Sequence, residues 1–579
     1  MIYEYIVIAC YFVLIVGIGF AFKKMARNST SDYFRGGGRM LWWMVGSAAF
    51  MAQFSAWTFT GAAGKAFNDG FAISLVFFGN TFAYFCGWAY FSQRFRQMRV
   101  DTPSEGIRRR FGPQNEQFFS WAIIVFSIIN AGVWLNALGV FTSAFFEADI
   151  SITIAATGLT VLFVSVISGA WGVVASDFIQ TLVVALVSVS CAIVALVAVG
   201  GPVNLVTEFP SGFVTGPNMN YGLLLVCTFL FFLPKQLVTV MNLNDSYRFL
   251  TARDSVNAKK AALLTTVLMG VGSIVFFIPP WATAILYPDA ADAYAALGGK
   301  AADSVYLVFT KTVMPVGTVG LLVAGLFAAT MSSMDSALNK TAGIYVRSVY
   351  QPWLARKGRP TDDRRQLRIG KMVSLTNGIL VILTALFFRS LKDLSLFDLM
   401  MSVTTMIQMP LLIPLMLGML VRKTPSWAPW ATVALGFSVS WMVANVITAD
   451  VFAAWIGIEE LTKRENSELT VVLTIGAHLF ITAAFFCSTT FFYNAENDPH
   501  REATEKFFVD FETPVISDNE QSTYDRQQRN KLGTMVLIMG AAMSLMVLIP
   551  NPAWGRLLFA ACALSILLIG MGLRKSARI

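Results

Sequence analysis

The sequence predicts an all-α polytopic membrane protein, and three observations carry that prediction. Of 579 residues, 56% are hydrophobic and only 13% are charged, about half the charged share usual in soluble chains. The apolar residues fall into fifteen segments, each near the roughly 20 residues that a helix needs to cross a bilayer. The Lys and Arg residues gather in alternate loops between those segments, the asymmetry that sets orientation in a membrane.

In chain order the segments lie near 4–22, 41–64, 71–93, 118–146, 150–169, 173–199, 220–247, 260–287, 306–347, 370–389, 396–421, 427–449, 470–492, 533–550 and 554–573. The 306–347 window is too long for one simple span. It reads as a long helix or as a helix with an amphipathic lead-in. The start, MIYEY, is not basic, and Lys23, Lys24 and Arg27 follow the first apolar run. A secretory signal has the reverse order, so the N-terminus is expected outside and those cations inside. Alternation then places Arg94, Arg96, Arg99 and the Arg108, Arg109, Arg110 run inside. The Arg248, Arg253, Lys259, Lys260 group follows, then Arg347 to Lys371, Arg422 with Lys423, and the tail RKSARI. The intervening loops, such as YPDAADAYAALGGKAAD, are poorer in Lys and Arg, and the 450–468 loop is mixed. The expected location is a bacterial-type inner (plasma) membrane, with the C-terminus cytoplasmic.

The net charge of +9 is spent in these short loops, and no nucleic-acid motif accompanies it. The six cysteines lie in apolar segments without a CxxC pair, and the two histidines, His478 and His500, stand far apart. Disulfides, a His-based metal centre and an enzyme active site are therefore not expected. The organisation expected is an extra helix and linker over 1–40, a core over 41–421 and further spans over 422–493. A polar cytoplasmic linker over 494–531 and two closing helices over 532–579 complete it. The linker reads as solvated, with a docking peptide as the alternative.

Two helices carry interruption signals. LWWMVGSAAFMAQFSAWTFTGAAG is rich in small and hydroxyl residues, and the 220–247 segment has Pro234-Lys235-Gln236 near its middle. Proline removes a donor and frees a carbonyl. Irregular backbone at membrane depth is tolerated where it is buried or lines a cavity. Each breaker opens a set of five spans, which points to a five-plus-five inverted repeat with its site at the breaks. A plain proline kink with tight small-residue packing is the alternative. In FAATMSSMDSALN, Ser332, Ser333, Asp335 and Ser336 sit in an apolar helix. Each costs free energy in hydrocarbon unless something polar meets it. Ala329, Ser332 and Ser333 share one face by their spacing, although such serines also bond back to their own helix.

These stretches, with GAWGVVASDFIQ and YRFLTARDSVNAKKAALL, resemble the sodium:solute symporter family, which includes sodium-coupled sugar, proline and sialate carriers. The resemblance spans about 40 to 420. It implies a LeuT-like five-plus-five inverted repeat with flanking helices, and sodium as the co-transported ion. It further implies a first sodium site from the carbonyls of Met51, Phe54 and Ala329 with the hydroxyls of Ser332 and Ser333. Asp177, Ser332, Asp335 and Ser336 fall where some members bind a second sodium. Asp335 departs from the usual serine there, and an ion pair of Asp177 with a loop arginine is the other reading.

The solute is less legible. Sugar carriers of this family place Gln and Glu where this chain has Thr58, Phe77 and Asn80, which weakens a simple hexose assignment. Lys235 at mid-membrane needs a partner. A solute carboxylate would serve, and so would an internal partner or snorkelling. Gln53, Ser55, Trp57, Thr58, Asn80, Gln236, Asn242 and Asn244 complete the substrate candidates. The expected activity is sodium-coupled symport of a small polar organic solute by alternating access, organic and sugar acids included. A membrane solute sensor with a separate signalling partner is the alternative from another class.

Overall fold

The computed structural model of the protein describes residues 2–22, 36–210, 212–358, 362–391, 395–458, 460–496, 498–517 and 522–578, of which 18–22, 164–171, 296 and 522–523 are described by backbone alone. Lys23, Lys24, Arg27 and Arg359 lie outside the described residues, and 169–171 of the GAWG turn carry no side-chain description. The described residues are helical, with one isolated bridge, Met40 to Ala252, in place of any strand.

Among the described residues, eleven helices are long and apolar enough to cross a membrane, and the bent pair Ala428–Asn445 and Ala449–Trp455 makes a twelfth. The three other expected segments correspond to the shorter apolar helices Ile2–Gly17 and Ile150–Phe163 and to a helix interrupted twice. The expected count of fifteen is therefore not reached by this measure. The protein is an integral membrane protein. The segments expected near 150–169 and 173–199 run as continuous helix, Ile150–Val199, with Asp149 capping its start by accepting from Ser151 N at 2.8 Å. The 306–347 window divides into a short helix, Val305–Val313, and the helix Thr318–Ile344, separated at Met314–Gly317.

Thr318–Ile344 is the central element. Its most apolar window is wholly buried, packed by Ile2–Phe22, Trp42–Gln53, Pro113–Phe146, Ile150–Val199 and Asp363–Arg389. A helix enclosed on all sides in a bilayer can carry polar side chains only where they meet one another or an ion. Its start is held by the first helix of the chain. Glu4, itself buried, accepts from Gly317 N at 2.6 Å and from Gly320 N, which satisfies orphan donors and matches the positive helix end. Gly320 permits this approach, since a methyl there would come within 2.6 Å of the Glu4 carbonyl.

The loops expected to share one side do meet. Met40 N donates to Thr251 O at 3.0 Å, Arg96 Nε to Ala252 O at 2.6 Å, and Arg347 pairs with Asp101 at 3.0 Å. Buried Arg110 donates to Gly418 O at 2.7 Å and Val421 O at 2.6 Å, closing the end of the helix Met409–Leu417. Burial pulls its guanidinium down to about 9. The 494–531 stretch also differs from a solvated linker. Its helix Arg501–Glu512 buries Phe507, Phe508 and Phe511. Asp510 pairs with Arg99 and Arg109, each at 3.5 Å, and Val515 exchanges backbone and hydroxyl bonds with Ser255. An aromatic triplet spaced i, i+1, i+4 on one helical face supplies apolar area that free solvation would waste.

Candidate functional site

The first interrupted helix breaks where its hydroxyl-rich sequence predicts. Trp42–Gln53 ends at Phe54, extended at φ −112°, ψ 129°, and Ser55 is extended as well. A one-turn helix, Ala56–Phe59, follows, then Thr60, then Gly61–Asp69. Two side chains meet the exposed backbone groups: Ser55 Oγ accepts from Trp57 N at 3.3 Å, and Thr330 Oγ1 accepts from Ala56 N at 3.1 Å. Thr330 belongs to the central helix, so the break and that helix are locked together.

The second interruption is displaced from its expected place. The helix Leu223–Val240 continues through Pro234, and the chain unwinds at Met241, φ −108°, ψ 65°. Proline inside the helix forfeits one bond to the Leu230 carbonyl, which a long apolar helix tolerates. The break itself is organised by Asn242, whose amide donates to Val238 O at 3.0 Å and whose oxygen accepts from Asn244 N at 2.9 Å. Asn242 is thus engaged with the backbone.

Ser333 joins the first break to the central helix. Its hydroxyl lies 3.2 Å from Met51 O and 3.0 Å from Phe54 O. Three of the oxygens expected to hold the first sodium are therefore within one contact shell. Ala329 and Ser332 are buried on the same helix. Asp177 is fully buried on Ile150–Val199, with Ser332 beside it. Neither side chain makes a well-formed hydrogen bond among the described residues. Arg248 Nη1 stands 3.7 Å from Asp177 Oδ2 and donates to Ala48 O, so the arginine pairing exists. Asp335 is buried, and Ser336 faces the central cavity.

That cavity, of about 160 Å³, lies between the two breaks. Gln53, Ser55, Trp57, Asn80, Lys235, Gln236 and Asn244 line it, whereas Thr58 and Asn242 are not among its lining residues. Lys235 is 2% exposed. Its ammonium donates to Gln236 Oε1 at 3.2 Å and lies 5.3 Å from the centre of the Phe232 ring. Gln236 is held in turn by Asn80 Oδ1 at 2.8 Å and Thr239 Oγ1 at 2.9 Å. Among the described residues no carboxylate pairs with Lys235, whereas Lys340, which lines the same cavity, has Asp245 at 3.7 Å.

The two ends of the cavity differ. Toward the basic loops it reaches Asn244, Asp245, Arg248 and Lys340, where Asp245 is 28% exposed and Lys340 13%. The other end is shut in two layers. Trp57 stacks between Phe77 and Phe397, at 6.1 and 5.9 Å, and donates to Leu396 O at 3.0 Å. Beyond it lies a 30 Å³ chamber lined in part by Thr228, Ser467 and Glu468. An ion cluster covers the chamber. Lys65 pairs with Asp69 and, at 3.2 Å, with Glu468; Arg464 pairs with Asp69 at 3.3 Å and Glu468 at 3.0 Å.

A model of the sodium:solute symporter family matches residues 33–432. The chain belongs to that family. Among curated relatives, the sodium/sialic acid symporter NanT of Aliivibrio fischeri is 23% identical over 440 residues, covering 72% of this chain and 83% of the relative. The sodium/glucose cotransporter of Vibrio parahaemolyticus is 24% identical over 451 residues, covering 73% and 81%. A solved Na+-coupled sialic acid symporter, substrate-bound and outward-open, superposes with TM-score 0.62 at 20% identity, over 85% of this chain and 98% of its own. The fold is thus that of sodium-coupled transporters, and the coupling ion of this symporter is sodium.

The symporter's cavity also uses residues that sequence reasoning missed. Phe126, Ser127, Asn130 and Trp134 come from Pro113–Phe146, and Thr404 and Gln408 from a π-helical turn, Val403–Gln408. Asn130 Oδ1 is buried without a hydrogen bond among the described residues. The asparagine and serine in an otherwise apolar run were its one sequence signal. The π turn has none, since it is set by packing rather than by residue type.

Proposed function

We propose that the protein carries a small organic anion together with sodium, by alternating access, and that Lys235 receives the anionic group. The supporting observation is the charge inventory of the cavity: Lys340 and Arg248 each have a carboxylate, and among the described residues Lys235 has only an amide and a ring face. A buried ammonium without a counter-charge is costly, and an incoming carboxylate would relieve that cost while the solute binds. Relatives that carry sialic acid, itself an acid, agree with this reading. Met51, Phe54, Ala329, Ser332 and Ser333 form the first sodium site in this account. Ser333 turns its O–H aside and offers a lone pair when the ion enters. Asp177 with Ser332, Asp335 and Ser336 forms the second. The Arg248 end faces the cytoplasm, because the loops around it hold most of the chain's cations. The N-terminus is then outside and the C-terminus inside, in a bacterial-type plasma membrane.

The test is thermal stability of purified protein in sodium against potassium at equal ionic strength, then in sodium with a panel of sugar acids, keto acids and neutral sugars. Sodium should stabilise the wild type and Lys235→Gln alike, and Ser333→Ala much less. An acid should add stabilisation to the wild type that Lys235→Gln lacks. A neutral sugar that stabilises both equally, with every acid inert, would overturn the anion reading.

A further inference from the structure

We infer that Arg248 is a built-in counter-cation for Asp177, which holds the second ion site when sodium is absent and is displaced when sodium arrives. This rests on the second-site reading above. Asp177 is 0% exposed, so whenever its carboxylate is charged it needs a positive partner close by. In this structure the partner is Arg248, 3.7 Å away. The guanidinium enters from the short helix Tyr247–Leu250, just past the second break, and its Nη1 also donates to Ala48 O, on the helix that precedes the first break. One side chain thus joins the two interrupted helices to the helix of Asp177. It lies at the mouth of the cavity, 14% exposed and near the Lys340–Asp245 pair, with Tyr84 behind it. Arg248 can therefore swing toward water without crossing a packed core.

The consequences follow from linkage. A tethered cation and a free sodium compete for one carboxylate, so the tether weakens sodium binding at that site by the factor with which it holds Asp177. It also spares the ion-free carrier from carrying a naked buried carboxylate while it returns. Arg248 acts here as a positioning residue: it neutralises the ligand rather than touching the solute.

The experiment is a sodium titration of the purified full chain, followed by intrinsic tryptophan fluorescence and melting temperature, with choline replacing sodium at constant ionic strength. Asp177→Asn identifies the component that belongs to the second site, as a lower Hill slope and a lost high-concentration phase. Arg248→Gln and Arg248→Met are made together, so that one folded variant suffices. The expected result is a half-saturating sodium concentration for that component about tenfold lower than in the wild type, within the usual range of coupling between sites. Arg248→Lys, which keeps the charge, should stay within about threefold of the wild type. An unchanged or raised half-saturation in both neutral variants, with the Asp177→Asn effect present, overturns the counter-cation while leaving the second site standing. An Asp177→Asn titration indistinguishable from the wild type overturns the second site, and the inference with it.

Discussion

The ion cluster at the closed end makes a quantitative prediction about which way the carrier faces. Glu468 contacts Lys65 at 3.2 Å and Arg464 at 3.0 Å, and all four side chains of the cluster are at most 17% exposed. Lys65 sits on the part of the first interrupted helix that follows the break and Glu468 on the helix Lys463–Ala477, so the contacts exist only while that end is shut. Glu468→Gln leaves one net positive charge in the cluster. Removing one partner of a buried pair costs about 3–5 kcal/mol. The retained amide bond and partial exposure reduce that to about 2 kcal/mol. This loss falls on the closed state alone, since an open end would hydrate the same groups. At 1.4 kcal/mol per decade, the ratio of closed to open should drop by about twentyfold to thirtyfold.

The assay is labelling of a cysteine in the chamber beneath the cluster. Ser467 lines that chamber, and Ser467→Cys adds little volume. With the native cysteines replaced, a membrane-impermeant thiol reagent should modify Ser467→Cys at least tenfold faster in the Glu468→Gln background. The double variant Lys65→Gln with Glu468→Gln restores charge balance around the Asp69–Arg464 pair, and should recover part of the protection. Equal labelling with and without Glu468→Gln would refute the claim that this cluster holds the end closed. Labelling that rises further in the double variant would show that packing, not charge imbalance, is responsible.

Glu4→Gln should cost about 1–2 kcal/mol, because Glu4 caps the helix that carries Ser332 and Ser333 through Gly317 and Gly320. A melting temperature lowered by several degrees with sodium stabilisation intact is the expected outcome, and an unchanged one would remove the cap. Burial pushes the Asp303 carboxyl up to about 7, with Leu396 N–H and Lys300 pulling it down and Asp398 raising it. A raised folded-state value means that this group's contribution is complete below the ordinary carboxylate range and is lost as pH climbs through about 7. Melting curves from pH 5.5 to 8.5 should fall for the wild type relative to Asp303→Asn, and parallel curves would refute it.

The legible parts of this protein were those written in local pattern. Apolar length and loop charge exposed the spans, and hydroxyls within apolar helix exposed the first break and the Ser332, Ser333 face. What was not legible depends on contacts between distant residues. Lys65 and Glu468 are separated by 403 positions, and nothing near either of them announces the other. Pro234 drew attention because proline is the strongest local breaker, yet the helix runs through it and opens at Met241. That opening carries no glycine or proline. Asn242 and Asn244 were its trace in the sequence, read there as solute contacts, whereas Asn242 secures the unwound backbone. Asn130 and Gln408 reach the cavity from helices whose apolar faces gave no preferred direction.

The first interrupted helix links these features mechanically. Its N-terminal half supplies Ala48 to Arg248 and Met51 to Ser333, and its C-terminal half supplies Trp57 to the aromatic layer and Lys65 and Asp69 to the ion cluster. Phe54 and Ser55, extended between the halves, are tied to them along the backbone only by single short-range bonds, Phe54 N to Met51 O at 3.2 Å and Thr58 N to Ser55 O at 3.0 Å. A cation drawing the Met51 and Phe54 carbonyls and the Ser333 hydroxyl together would fix the angle at that joint. The same angle determines whether Lys65 reaches Glu468. Sodium binding and closure of the far end are then two readouts of one backbone geometry, so Ser333→Ala should alter Ser467→Cys labelling in response to sodium, although Ser333 and the chamber share no contact. Labelling that tracks sodium identically in both backgrounds would place the coupling elsewhere in the fold.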